Sequence, residues 1–283
     1  MAVQSEYILK YGETSVNDNL ATVLNGVVEN VQTRTIAELL KNKNGSGDPE
    51  GGTIEYKRFV NSVLRDKGTA RTARKGDDVI SSPVLVNLDD DKEIVEELQI
   101  KDVKLFGIAG MAEKRAENFA RRIAAYLDTK FFAEAVSAGT QFTRGSLTSA
   151  KDIVDKMIVD AKSVSSDFID GIDAEDLAIV LSPSYRKDLK EALDALPNGT
   201  KAANGLIGQY DGIEVFESNR LGTGVNAIVM LKGAIAQPYL LSEYNAEKIN
   251  LDDAIALQNF LYTGVKALSP EAIIYDKDAT VSA

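Results

Sequence analysis

IAGMAEKRAENFARRIAAYLDTKFFAEAVSAG, Ile108 to Gly139, is the longest uninterrupted segment with helical spacing in the sequence. One ridge of side chains four residues apart is bulky, Phe119, Ile123, Leu127 and Phe131, and the ridge beside it is small, Ala112, Ala116, Ala120 and Ala124. A bulky ridge fills a core, whereas a small one lets another backbone approach closely, so the spacing predicts a helix buried differently on two faces. Glu117 precedes Arg121 by four residues and Lys130 precedes Glu134 by four, which predicts a solvated third face with internal ion pairs. No proline interrupts the run and Gly139 supplies the stop. At about 1.5 Å per residue the helix spans roughly 45 Å, longer than most globular helices. With β-like segments on both sides it reads as a spine that other elements cross. Taken alone it also fits the core of a compact enzyme, and its neighbours decide between the two.

Composition narrows the choice. The chain has 283 residues, 44% of them hydrophobic, enough for a sizeable core in one large domain or two smaller ones. No apolar run approaches the roughly eighteen residues needed to span a bilayer, and MAVQSEYILKYGETS at the N-terminus has no basic region followed by an apolar core. No membrane partner is expected, and the protein is expected to stay in the compartment where it is made. There are no cysteines and no histidines. Disulfides, thiolate metal sites and cysteine nucleophiles are thereby excluded, together with the commonest general base and nitrogen ligand. The 43 acidic and 32 basic residues give a net charge of -11, which disfavours a general role in gripping nucleic acid.

In chain order, Val16, Leu20, Val23, Leu24, Val27 and Val31 predict an amphipathic helix after a short arm. A second apolar group, Ile36, Leu39 and Leu40, ends in NKNGSGDPEGG (Asn42 to Gly52), a structural boundary rich in turn formers. Thr53 to Leu88 has β-branched and aromatic residues at both ends and a polar, glycine-containing middle, the pattern of a long two-stranded excursion with a flexible tip. Within it Arg65, Lys67, Arg71, Arg74 and Lys75 stand against the single acid Asp66, a local balance of +4 in an acidic chain. No aromatic residues are interleaved with these bases, as single-stranded nucleic acid would require. The segment fits a basic tip docking on an acidic surface, that of an identical neighbour included, better than it fits a solvated loop with no partner.

Ile94 to Ile108 alternates as a strand with a bulge at Asp102 and leads into the spine. The acids before and within it, from Asp89 to Glu97, match no calcium-loop spacing and read as a solvated face. Beyond the spine, Ser149 to Val164 predicts a helix with Ile153, Met157, Ile158 and Ala161 inward, and Leu177 to Leu181 (LAIVL) a buried strand. Ser182 and Pro183 start a helix along Tyr185, Leu189 and Leu193 that Leu196 to Gly199 stops. Asp211-Gly212 turns into the strand IEVFES, and NAIVML (Asn226 to Leu231) is another strand. Asp252 to Tyr275 satisfies helical and strand spacing alike, Ala272 to Ile274 suggests a final strand, and DKDATVSA is expected to fray.

Motifs for chemistry are sparse. There is no phosphate-binding GxxxxGK[ST] and no GxSxG elbow, and HExxH is impossible without histidine. Gly222-Thr223-Gly224 and Asn198-Gly199-Thr200 read as turns. Paired carboxylates are the one catalytic apparatus left, so a carboxylate-dependent hydrolase is the rival of a different class. No catalytic, cofactor or metal residue can be assigned.

The order of parts, together with the phrases LAIVLSPSYRKDL from Leu177, GLIGQYDGIEVFES from Gly205, MLKGAIAQPY from Met230 and YTGVKALSPEAII from Tyr262, resembles the major capsid proteins of tailed bacteriophages. The resemblance implies an α+β chain with the Hong Kong 97-like capsid fold: N-terminal arm, extended β-hairpin loop, peripheral domain with a long spine helix, and α/β axial domain. On this sequence these become arm and helix at 1–50, extended loop at 51–88, peripheral domain with spine at 89–139, axial domain at 140–251, and a return to the peripheral domain at 252–283. It also implies that Phe260 to Lys266 is strand. The implied function is a non-enzymatic head-shell subunit without cofactors, assembling in the host bacterial cytoplasm into hexamers and pentamers of the virion capsid. Implied partners are the chain itself, a separate scaffolding protein, a portal, and double-stranded DNA held non-specifically on the inner face. A shell of the same fold that houses a cargo enzyme, an encapsulin-like nanocompartment, is the near alternative.

Overall fold

The computed structural model describes residues 29–64, 66–67, 78–99, 108–189, 194–195, 205–242, 245–248 and 254–278, with the backbone alone at 98–99, 108–114, 116, 194–195, 245–248 and 254–257. The predicted helix from Val16 therefore lies outside the described residues except for its end, where 29–34 are helical. After a break at Thr35 comes α1 (Ile36–Leu40), with Ile36 and Leu40 buried and Leu39 outward. Strands β1 (Thr53–Phe59) and β2 (Ser81–Asn87) pair antiparallel from Thr53 opposite Asn87 to Phe59 opposite Ser81. This is the predicted two-stranded excursion.

Strand β3 (Asp90–Gln99) begins earlier than the alternation from Ile94 suggests. The acidic run is itself strand, because its backbone is paired residue for residue with a strand far along the chain: Asp90 faces Thr263 and Gln99 faces Ala254. The bulge at Asp102 lies outside the described residues.

The spine is α2 (Ile108–Ala138), 31 residues, with Phe119, Ala120, Ile123, Ala124, Leu127 and Phe131 all buried. Both predicted faces are thus covered as far as side chains are described; Ala112 and Ala116 fall outside. Of the two predicted pairs, Glu117 does accept from Arg121 at 2.7 Å. Lys130 and Glu134 instead turn to other elements. Lys130 is 3.0 Å from Asp90, and Glu134 accepts the Ala267 amide at 2.9 Å, because strand neighbours offer partners that an isolated helix does not. Gly139 ends the helix through space: a Cβ there would lie 2.5 Å from the Ala135 carbonyl and 2.8 Å from Ile273.

Next come β4 (Thr140–Gln141), α3 (Ala150–Lys162), β5 (Leu177–Leu181) and α4 (Pro183–Leu189). The helix predicted to run along Leu193 to Leu196 does not reach that far, since β6 (Asp194–Ala195) pairs with Gly208 and Gln209 and an extended ladder excludes helical backbone. Strands β7 (Leu206–Tyr210) and β8 (Ile213–Glu217) form a hairpin whose turn, Asp211 at φ 52° and Gly212 at φ 77°, is the positive-φ pair that an Asp-Gly sequence favours. The rest are β9 (Val225–Leu231), β10 (Ile235–Ala236), β11 (Tyr239–Leu241), β12 (Asn245–Lys248), β13 (Ala254–Thr263), β14 (Lys266–Ala267) and β15 (Ile273–Lys277). The ambiguous segment is strand at 254–263, 266–267 and from 273 on, with a 3-10 turn at Pro270–Ala272.

Two sheets organise these parts. The larger runs β4-β15-β9-β5-β8-β7-β6. Leu177, Ile179 and Leu181 of β5 pack with Ile153, Met157 and Ile158 of α3 on one face, while Ala178 and Val180 pack with Phe131, Phe132 and α1 on the other. Burial on both faces is why LAIVL and NAIVML are continuously apolar. In the smaller sheet β13 is central, with β3 along one edge and β11 and β12 along the other. The spine bridges them, using Ala120, Ile123 and Leu127 against Leu261 of the smaller sheet and Phe131, Phe132 and Ala135 against the larger. The expected return of 252–283 is divided: β13 lies in the smaller sheet and β15 in the larger. The tail does not fray at once, for Asp276 is fully buried and held by Arg144 at 2.5 and 2.7 Å. No described helix is long and apolar enough to cross a membrane.

Candidate assembly interface

The β1–β2 hairpin bonds to no third strand among the described residues. Its anchoring follows the period of two. Ile54, Tyr56 and Val86 point inward and form a small core with Ala236 and Leu268, and the next inward residue of β1, Arg58, is half-buried. At the hairpin's attachment there is no room at Gly264, where a Cβ would stand 1.9 Å from the carbonyl oxygen of Asn87. Beyond the base the chain leaves its own core. Phe59 is 56% exposed, Val63 66%, Leu64 99%, Val79 81% and Ile80 64%, which leaves large apolar side chains that nothing among the described residues covers. Sequence reasoning placed these residues in a two-stranded excursion without naming them as an exposed surface, because only the position of the hairpin decides which of its side chains the core covers. Of the predicted basic residues, Lys67 is exposed, and Arg65, Arg71, Arg74 and Lys75 lie outside the described residues.

The acidic run divides between two jobs. Asp90 accepts from Tyr126 and faces Lys92 at 2.8 Å and Lys130 at 3.0 Å. Burial acts to raise its carboxyl, but the hydrogen bonds from Lys92, Tyr126 and Lys130 outweigh it and hold the group at about 2. Glu96 pairs with Arg115 of the spine. Asp91, Glu93, Val95 and Glu97 are exposed along β3. The predicted solvated face is therefore the outward half of a strand whose inward half fastens the sheet to the spine.

The two fully buried carboxylates among the described residues are structural in their surroundings. Asp128 accepts from Arg220 at 2.7 Å and from the Ala37 amide at 3.0 Å, joining spine, larger-sheet loop and α1. Burial pushes its carboxyl up to about 6 against the pull of these donors. Asp276 faces Arg144, and its charge adds to burial in pushing the Tyr185 phenol up. Each buried acid meets an arginine, unlike the facing carboxylates of the hydrolase reading. The described residues contain no cluster of three or more acids that could hold a metal ion.

No protein-family model matches the sequence, and no curated protein does. Solved structures match nearly the whole chain. A structure of Mycobacterium phage Che8 aligns with TM-score 0.60 at 16% identity, covering 86% of this chain and 90% of that one. The capsid structure of cyanophage P-SCSP1u aligns with TM-score 0.60 at 15% identity, covering 87% and 88%. A virus-like particle from Pyrococcus furiosus aligns with TM-score 0.53 at 11% identity, covering 89% and 96%. The chain has an α+β fold of the Hong Kong 97-like capsid type, with the hairpin, spine and two sheets in the order described above.

Proposed function

We propose that this chain is the major capsid protein of a tailed bacteriophage, a structural subunit that assembles with copies of itself into an icosahedral shell around double-stranded DNA. The observation that carries the reading is the hairpin: on a fold shared with capsid structures, an arm that bonds to no third strand among the described residues exposes Phe59, Val63, Leu64, Val79 and Ile80. Large apolar side chains left exposed along one arm point to an interaction site, and a second copy is the partner a shell supplies. Arg65, Lys67, Arg71, Arg74 and Lys75 of the same arm face a neighbour's acids, with Asp91 and Glu93 of β3 as the outward charges that suit them. On this reading residues 1–50 are the N-terminal arm and helix, 51–88 the extended loop, 89–139 the peripheral domain with the spine, 140–251 the axial domain and 252–283 the return to the peripheral domain. A separate scaffolding protein, a portal and DNA repelled from an acidic inner wall complete the assembly in the host cytoplasm. Electron microscopy of the expressed chain tests this: closed shells are expected, and a compact monomer under all conditions, infected-cell lysates included, overturns it.

The likeness to the Pyrococcus furiosus virus-like particle favours a second reading, an encapsulin-like nanocompartment. Nucleic acid inside purified shells supports the first, and a co-purifying cargo protein the second.

A further inference from the structure

Between the buried base of the hairpin and its exposed end, Arg58 makes a charged contact to the body of the same chain. The Arg58 guanidinium lies over the Phe168 ring, 4.1 Å from its centroid, and also pairs with Glu271, which precedes β15. Three residues on, the Asn61 amide donates to the Asp167 carbonyl at 2.9 Å. The loop that receives both is built to hold still. Ser165 and Asp170 bridge across it, the Ser166 amide donates to the Ile169 carbonyl at 2.7 Å, and the Ser166 hydroxyl accepts from the Phe168 and Ile169 amides at 3.3 and 3.1 Å. A planar cation stacked on a ring and tied to a carboxylate is fixed in direction as well as distance, which an ammonium is not.

We propose that Arg58 is a positioning residue that sets the angle of the hairpin against its own subunit, with the 165–170 loop as the shelf, so that the arm is aimed before it meets a second copy. The inference rests on the shell reading for its consequence but not for its geometry. A two-stranded arm anchored at its base by the Ile54, Tyr56 and Val86 core can pivot about that core. Arg58 lies one inward step, about 6–7 Å, further along β1 and therefore resists rotation with more leverage than the base itself. An arm loosened here meets the next copy at an unset angle, which yields mismatched contacts rather than an unfolded subunit.

The test uses the full chain, unassembled, with hydrogen exchange read at the Asn61 amide and at β5 and β9 as controls. Arg58→Lys keeps a charge for Glu271 but loses the planar face, and Phe168→Leu removes the ring. Both are expected to speed exchange at Asn61 by about tenfold or more while β5 and β9 stay unchanged. By electron microscopy both are expected to give shells of mixed size or open sheets where the unaltered chain closes. Unchanged exchange at Asn61 in both variants overturns the clamp, as do faster exchange and normal, uniform shells. Faster exchange in variants of a chain that itself never forms shells leaves the clamp standing and removes the shell reading.

Discussion

Asp128 of the spine and Arg220 of the loop between β8 and β9 meet at 2.7 Å across 92 residues of sequence, with the Asp128 carboxylate 99% hidden and also receiving the Ala37 amide. Three separate parts of the chain are joined at one charge. Such a junction stabilises only while its partners remain, because an uncompensated buried charge costs more than a pair contributes.

Its pH dependence has a definite sign. The folded carboxyl is raised to about 6 from an ordinary 3.8, so the folded state binds the proton more tightly. The resulting stabilisation is full below pH 3.8 and is lost as pH rises through about 6. Between pH 7 and pH 4.5 the unaltered chain should gain about 2 kcal/mol relative to Asp128→Asn. Paired thermal melts at the two pH values measure this, and a difference that does not move with pH, or moves the other way, refutes it.

Arg144→Ala leaves the buried Asp276 carboxylate without its cation and frees the segment that Arg144 also ties through Asp278 at 2.9 Å. A loss of about 3–5 kcal/mol is expected in denaturant unfolding. A loss below about 1 kcal/mol would mean the tail is not held here.

Ala120→Leu adds bulk where the alanine is fully buried beside Ile123, Leu127 and Leu261. Overpacking of about 1–3 kcal/mol should appear in the melting temperature. Unchanged folding and assembly would mean that this ridge is not a packing face.

Gly264→Ala forces a Cβ against the backbone carbonyl of Asn87, an atom that cannot rotate away. The hairpin's base must shift, so faster hydrogen exchange across β1 and β2 is expected while α3 and β5 keep their protection. Normal protection of the hairpin would show that this approach can relax.

The interface itself divides into an apolar and a charged share. Leu64→Ser with Val79→Ser removes apolar surface that is exposed among the described residues, so the melt should hold to about 0.5 kcal/mol while shell formation falls. Arg71→Glu with Arg74→Glu is likewise expected to spare the monomer and block assembly, and assembly of the unaltered chain should weaken as salt screens the contact. If only the apolar pair matters, added salt will strengthen assembly instead. Normal shells from both double variants would remove the hairpin from the interface.

The sequence by itself determined what depends on neighbours within a few residues. The ridges of Phe119 to Phe131 and of Ile153 to Ala161 state a period of 3.6, LAIVL and NAIVML state strands covered on both sides, and Asp211-Gly212 states its turn. Where spacing satisfied two periods at once, as in 252–275, it could not choose. What only the tertiary structure decided is which distant groups those elements meet. Pairing with Ala254 to Thr263 made the acidic run a strand. The nearness of Asp90 and Ala267 took Lys130 and Glu134 away from each other. Exposure of Leu64 and Val79 followed from where the hairpin leaves its core. The physical reason is range: hydrophobic periodicity and turn conformation are local properties of the chain, whereas burial and charge partners are set by whatever else folding brings within a few ångströms.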